Sequence, residues 1–201
     1  MIWAITSPER VHEEVRILSS LLEAGADGIL LRKPGWNTAQ YEALVETIDP
    51  RYYQRLIIRD NFQVCNKYAL GGIHLSEQMR ESISASALLQ HLQPYSRSST
   101  GVHNVAQLVA HCNTFNTLLL SPVFDSISKP GYQGRFERLP LSKGSYAVLA
   151  LGGVDSTNIE SVQQWGFDGA AVLGALWKDP ARAVASYHNM QQLWKKNAHT
   201  H

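Results

Sequence analysis

The chain has 201 residues, 44% of them hydrophobic, which is enough for a sizeable core and sets one domain as the expectation. A formal net charge of +1 with 17% charged residues leaves no basic stripe, so nucleic acid is excluded as the main partner. Two cysteines, Cys65 and Cys112, make neither a disulfide framework nor a zinc set and fit a reducing, cytoplasmic setting. No apolar run reaches membrane-spanning length and the first residues lack a signal-peptide pattern, so no membrane partner is expected.

In chain order, Ile2 to Thr6 reads as a short apolar strand. Ser7-Pro8-Glu9 reads as a helix start, Ser as cap and Pro in the first turn, followed by Val11, Val15, Leu18, Leu21 and Leu22 at helical spacing. Gly28 to Leu31 is a second strand, running into Arg32-Lys33-Pro34-Gly35. Asn37 or Thr38 caps a helix through Ile48, closed by Asp49-Pro50. Leu56 to Ile58 is a third strand ending at Arg59-Asp60, where Asp60 is also a candidate cap for the helix from Phe62 to about Leu70.

Ile73-His74-Leu75 is a fourth strand, Ser84 to Leu92 a helix, and Thr100 to His103 a fifth strand with Asn104 capping the next helix. Leu118 to Leu120 forms the sixth strand. It opens into a long polar loop carrying Asp125, Ser126, Ser128 and Lys129 before Pro130-Gly131. One lysine flanked by hydroxyls and a Pro-Gly turn has the donors of an anion grip, or it is an ordinary surface loop. Tyr146 to Leu151 is the seventh strand, ending in Gly152-Gly153, with Asp155 or Ser156 capping a helix. Gly169 to Leu173 is the eighth, and a closing helix starts near Asp179 or Pro180; the tail from Lys195 is expected to fray.

Eight strands alternating with helices, each strand apolar throughout, predict a single-domain α/β protein: a (β/α)8 TIM barrel. No G-x-G-x-x-G follows the first strand, which disfavours an open doubly wound sheet. In a barrel the C-terminal strand ends hold the site. Those ends carry Arg32 and Lys33, Arg59 and Asp60, His74, His103, the Lys129 loop, Gly152-Gly153 and Gly174. Glycines after strands seven and eight let backbone amides approach a phosphate. His74 and His103 are either proton carriers or hydrogen-bonded histidines lining the barrel.

GADGILLRKP, LIIRD, GGIHL, GVHN, LLSPVFDSISKPGYQG, ALGGV and GFDGAAVLGALW, in this order, resemble thiamin phosphate synthase and the TenI-type thiazole tautomerase from about Gly25 to Trp177. The resemblance implies a (β/α)8 barrel in thiamin biosynthesis. It would couple hydroxymethylpyrimidine diphosphate to thiazole phosphate, with pyrophosphate released and magnesium present. It implies Arg32 as a diphosphate contact, Asp60 as a magnesium ligand and Ser126, Ser128 and Lys129 as substrate-loop contacts. Gly152, Gly153 and Gly174 would form the thiazole-phosphate cradle. The implied partners are phosphorylated small molecules, with a homo-oligomer left open.

The chain departs from the synthase pattern at several positions. Pro34 stands where a second lysine is expected, with Lys33 next door; Arg59 stands in place of Asn, and Gly101 in place of Ser. The second magnesium carboxylate is missing from Ser76 to Met79, which offers only a displaced Glu77. Pro122 replaces the tautomerase histidine. Three functions therefore stay open: synthase, metal-independent tautomerase with His74 or His103 moving a proton, and a non-catalytic phosphate-ligand binder.

Overall fold

A computed structural model describes residues 1–125, 134, 136, 138–139 and 144–198. Its centre is a closed barrel of parallel strands in the order β1 to β8, each paired with the next and β8 with β1. The strands are β1 Ile2–Ile5, β2 Gly28–Leu31, β3 Leu56–Arg59, β4 Gly72–Leu75, β5 Ser98–Val102, β6 Thr117–Leu120, β7 Ala147–Leu151 and β8 Gly169–Val172. The helices of the outer ring are α1 Glu14–Glu23, α2 Thr38–Glu46, α3 Phe62–Lys67, α4 Glu77–Glu81, α5 Ala85–Leu92, α6 Val105–His111, α7 Ile159–Gln164, α8 Gly174–Trp177 and α9 Ala183–Ala198. The eight expected strands are all present.

Alternation along each strand sorts its side chains into two cores. Trp3, Ile5, Leu30, Ile57, Leu119, Leu149 and Ala171 pack together inside the barrel. Their strand neighbours, among them Ala4, Ile29, Leu31, Leu56, Ile58, Leu118, Leu120, Val148 and Val172, pack outward against the helices. Burial on both faces is why these strands read as unbroken apolar runs. The closure is fastened from outside: the Tyr187 hydroxyl of α9 donates to the Ile2 carbonyl (2.7 Å), and Trp177 Nε1–H of α8 to that of Ile5 (2.7 Å).

Most helix starts follow local capping chemistry. Asn37 and Gln40 form a reciprocal capping box on α2, and Asn61, Ser84 and Asn104 cap α3, α5 and α6 through their side chains. Asn61, not Asp60, therefore caps α3.

The first helix departs from expectation. It begins at Glu14, preceded by Glu13 in a left-handed conformation (φ 58°), while Ser7 Oγ accepts the Glu9 N–H in a separate turn. A tertiary contact decides this: Glu14 is buried against Lys33, and that pairing sets where the helix starts. Asp155 and Ser156 do not cap α7 either; its N-cap is Asn158, and Asp155 instead accepts the Thr157 N–H. Helix α9 continues to Ala198, with Lys195 and Lys196 in its last turn; the rest of the expected tail lies outside the described residues. No helix among the described residues is long and apolar enough to cross a membrane.

Candidate active site at the barrel mouth

The two-residue period places the polar side chains. Leu30 points inward, so Arg32 comes next on the inward face; Ile57 points inward, so Arg59 does too. Arg59 is in register with His74, and His74 with Ser99, carrying the inward row across β3, β4 and β5. Lys33 has the opposite parity. It is buried outside the barrel, paired with Glu14, donating to the Glu9 carbonyl (3.1 Å) and lying 5.3 Å from the centre of the Trp36 ring. Lys33 therefore does not stand in at the mouth for the lysine missing at Pro34.

Thr6 holds the Arg32 backbone in place. The Arg32 N–H donates to Thr6 Oγ1 (2.8 Å), and the Thr6 hydroxyl is 3.1 Å from the Arg32 carbonyl. Among the described residues the Arg32 guanidinium makes no hydrogen bond or ion pair. Burial and then the neighbouring Arg59 charge hold its pKa below the usual arginine value.

Asp60 sits at the end of β3 in a left-handed conformation (φ 55°). Its Oδ1 accepts the Ser76 N–H (2.7 Å) and its Oδ2 accepts Arg59 Nε–H (3.2 Å), while its own N–H donates to the His74 carbonyl (2.9 Å). Arg59 and Asp60 also border a polar cleft of about 310 Å³, together with Lys33, Trp36, Tyr41 and Asn61. A larger cavity of about 460 Å³ lies between α1 and α2, lined mostly by apolar surface; it shares Trp36 with the polar cleft and includes neither Arg59 nor Asp60. The polar cleft touches the end of β3 through Arg59 and Asp60, and neither Arg32 nor His74 lines it.

His74 is buried, with Nδ1 3.0 Å from Ser99 Oγ. Burial, then the charges of Arg59, Arg32 and Arg80, push its pKa down to about 3, so the ring is neutral at physiological pH. His103 is exposed at the end of β5, with Nδ1 3.2 Å from the Ser121 carbonyl and 3.1 Å from Ser121 Oγ.

Arg80 was missed by the sequence reading. It is 5% exposed, and its Nη1 donates to Thr100 Oγ1 (2.9 Å) and the Gly101 carbonyl (3.1 Å), bracing the end of β5 from α4. Arg59 stands among the strand-end residues expected at the mouth, and its parity with Ile57 sets its inward direction.

On the far side of the mouth, Gly152 and Gly153 take positive φ (96° and 66°). A Cβ on Gly153 would meet the Asp125 carbonyl oxygen at 2.2 Å. The glycines thus let the β6 loop lie on the β7 turn, where Val123 N–H donates to Leu151 O (2.9 Å) and Phe124 N–H to Gly152 O (3.0 Å). Asn158 locks the turn by donating to the Gly153 carbonyl (2.9 Å). Gly174 opens α8 directly after β8. Ser126, Ser128 and Lys129 lie outside the described residues.

The donor set at the mouth does not fit a bound magnesium ion. Mg²⁺ asks for carboxylate oxygens in near-octahedral geometry. Asp60 has both oxygens engaged and a guanidinium beside it. Ser76 to Met79 offers one carboxylate, Glu77, which is turned to Gln107 Nε2 (2.8 Å) and Arg80 Nη2 (3.6 Å). Among the described residues no group of three or more His, Cys, Asp or Glu could hold a metal.

A closed parallel barrel with cationic and glycine-rich strand ends gathered at one mouth defines a (β/α)8 barrel. Residues 2–176 match the thiamine monophosphate synthase (TMP-TENI) family, and the chain belongs to that family of enzymes. It is 27% identical over 176 residues to a thiamine-phosphate synthase of Chlamydia caviae, covering 82% of this chain and 80% of that one. Two solved structures share the fold. The thiamine phosphate pyrophosphorylase of Pyrococcus furiosus has a TM-score of 0.78 at 16% identity, covering 97% of this chain and 95% of the other. That of Bacteroides thetaiotaomicron has a TM-score of 0.73 at 22% identity, covering 96% and 97%.

Proposed function

We propose that the chain is a thiamin-phosphate synthase: a transferase that joins hydroxymethylpyrimidine diphosphate to thiazole phosphate and releases pyrophosphate. The observation that carries this reading is the pair Arg32 and Arg59, side by side on the inward face of β2 and β3 at the mouth, in a chain of this family. The bond between the pyrimidine methylene carbon and the diphosphate oxygen breaks with its electron pair going to the leaving group. The thiazole nitrogen lone pair then forms the new C–N bond, so no protein nucleophile is required. The two guanidinium groups face the charge that develops on the leaving group, and such preorganised donors typically contribute a few kcal/mol each. Lys129, with Ser126 and Ser128, supplies further contacts from the β6 loop.

The thiazole phosphate binds across the Gly152-Gly153 turn and Gly174, where backbone N–H groups approach it closely. Neutral His74 stays a hydrogen-bonding group beneath the diphosphate and adds no competing charge. The test is pyrophosphate release from the two substrates together and from neither alone.

A second reading, a metal-independent thiazole phosphate tautomerase, is favoured by one observation: His103 is exposed at the end of β5 and oriented by Ser121 through Nδ1, where a proton carrier could act. Exchange of the thiazole ring proton without pyrophosphate release would select it.

A further inference from the structure

We infer that the mouth binds a diphosphate group through Arg32 and Arg59 directly, with the Arg59 guanidinium occupying the role a divalent cation would otherwise fill. The inference rests on the synthase reading and concerns how its leaving group is held.

Arg32, Arg59 and Arg80 bring three positive charges to the ends of β2, β3 and β5, against two carboxylates, Asp60 and Glu77. The balance is positive before any ion or anything from the β6 loop is added. A magnesium site needs the opposite, a surplus of carboxylate to attract the ion.

The carboxylates are also already committed. Asp60 carries the Ser76 N–H and Arg59 Nε–H, and Glu77 carries Gln107 and Arg80. The cations differ in their commitments. Arg80 is spent on Thr100 and the Gly101 carbonyl and acts as a brace. Arg59 uses only Nε in its bond to Asp60, and no bond holds its two terminal nitrogens among the described residues. The Arg32 guanidinium is without a partner there. Arg32 and Arg59 extend from adjacent strands, whose backbones lie about 5 Å apart, close enough for each charge to act on the other, and guanidinium binds phosphate in a bidentate manner. Two half-buried guanidinium groups repel each other, and an anion bridging them removes that cost. Arg32 is accordingly easier to deprotonate than an ordinary arginine, through burial first and Arg59 second.

The experiment is isothermal titration of inorganic pyrophosphate into the wild-type protein, once in EDTA and once in excess magnesium, corrected for magnesium pyrophosphate formation. Saturable binding in EDTA is expected, tightened less than about threefold by magnesium. Arg59→Gln should weaken the EDTA binding at least tenfold, one good charge-assisted contact. Arg59→Lys, which keeps the charge and loses the fork, should fall between. Circular dichroism melting of each variant separates loss of binding from loss of fold; if Arg59→Gln does not fold, the Arg59→Lys titration decides in the same way. Binding that appears only with magnesium overturns the inference and leaves the synthase reading standing. So does EDTA binding that neither variant weakens. No binding under either condition overturns both.

Discussion

Replacing His74 with asparagine should flatten the acid limb of the stability curve. The wild-type ring is buried against Ser99 and surrounded by Arg59, Arg32 and Arg80, which together bring its pKa from 6.5 down to about 3. The fold therefore keeps His74 neutral while the unfolded chain protonates it below about pH 6.5. Stability from this group is full above that pH and is lost progressively as the pH falls toward 3. At about 1.4 kcal/mol for each pH unit crossed, the whole window corresponds to roughly 5 kcal/mol, and acidification from pH 7.5 to 4.5 to roughly 2–3 kcal/mol. Asparagine keeps a polar atom near the Nδ1 position for Ser99 and cannot titrate. The assay is urea denaturation of both proteins at several pH values between 7.5 and 4.5. Their stability difference should shift by roughly that amount in favour of His74→Asn as the pH falls. Parallel curves would show that His74 protonates as easily folded as unfolded, and would refute the account of a dry, arginine-flanked mouth.

Other expectations follow from the same geometry. Lys33→Met should destabilise the fold by roughly 3–5 kcal/mol, because it leaves Glu14 charged and buried, and Lys33→Met with Glu14→Leu should recover most of that in thermal melting. Gly153→Ala should lower stability by at least about 1 kcal/mol, since a left-handed turn is strained by any side chain and the new Cβ would strike the Asp125 carbonyl. A valine at Gly153 would thus damage the fold as well as any phosphate site. Arg32→Ala should cut pyrophosphate-releasing turnover by roughly a hundredfold or more without shifting the melting temperature, because Arg32 makes no guanidinium contact among the described residues.

The architecture was largely legible because most strands declare themselves twice, by an apolar run and by the turn or cap after it; β5, Ser98–Val102, is mostly polar, and its first two residues escaped for that reason. Asn37 and Asn104 are local signals that the fold obeys. Ser7-Pro8 is an equally good local signal that it overrides, because the Glu14–Lys33 pairing joins residues nineteen positions apart and leaves no trace in local pattern. At the site, strand ends could be counted from sequence, but the direction of each side chain could not be taken for granted. Arg32 and Lys33 are neighbours on paper and lie on opposite sides of the barrel wall. The parity from Leu30 and Ile57 holds that information, and it also marks Arg59. Arg80 had no such mark: it reaches the end of β5 from a five-residue helix that the sequence does not announce.

The most direct test of the central claim is steady-state pyrophosphate release from hydroxymethylpyrimidine diphosphate and thiazole phosphate, measured from EDTA through saturating magnesium. Wild-type protein, Arg32→Ala and Lys129→Ala should be compared. Release is expected to require both substrates and to fall roughly a hundredfold or more in each variant. A wild type that releases no pyrophosphate at any magnesium concentration would contradict it.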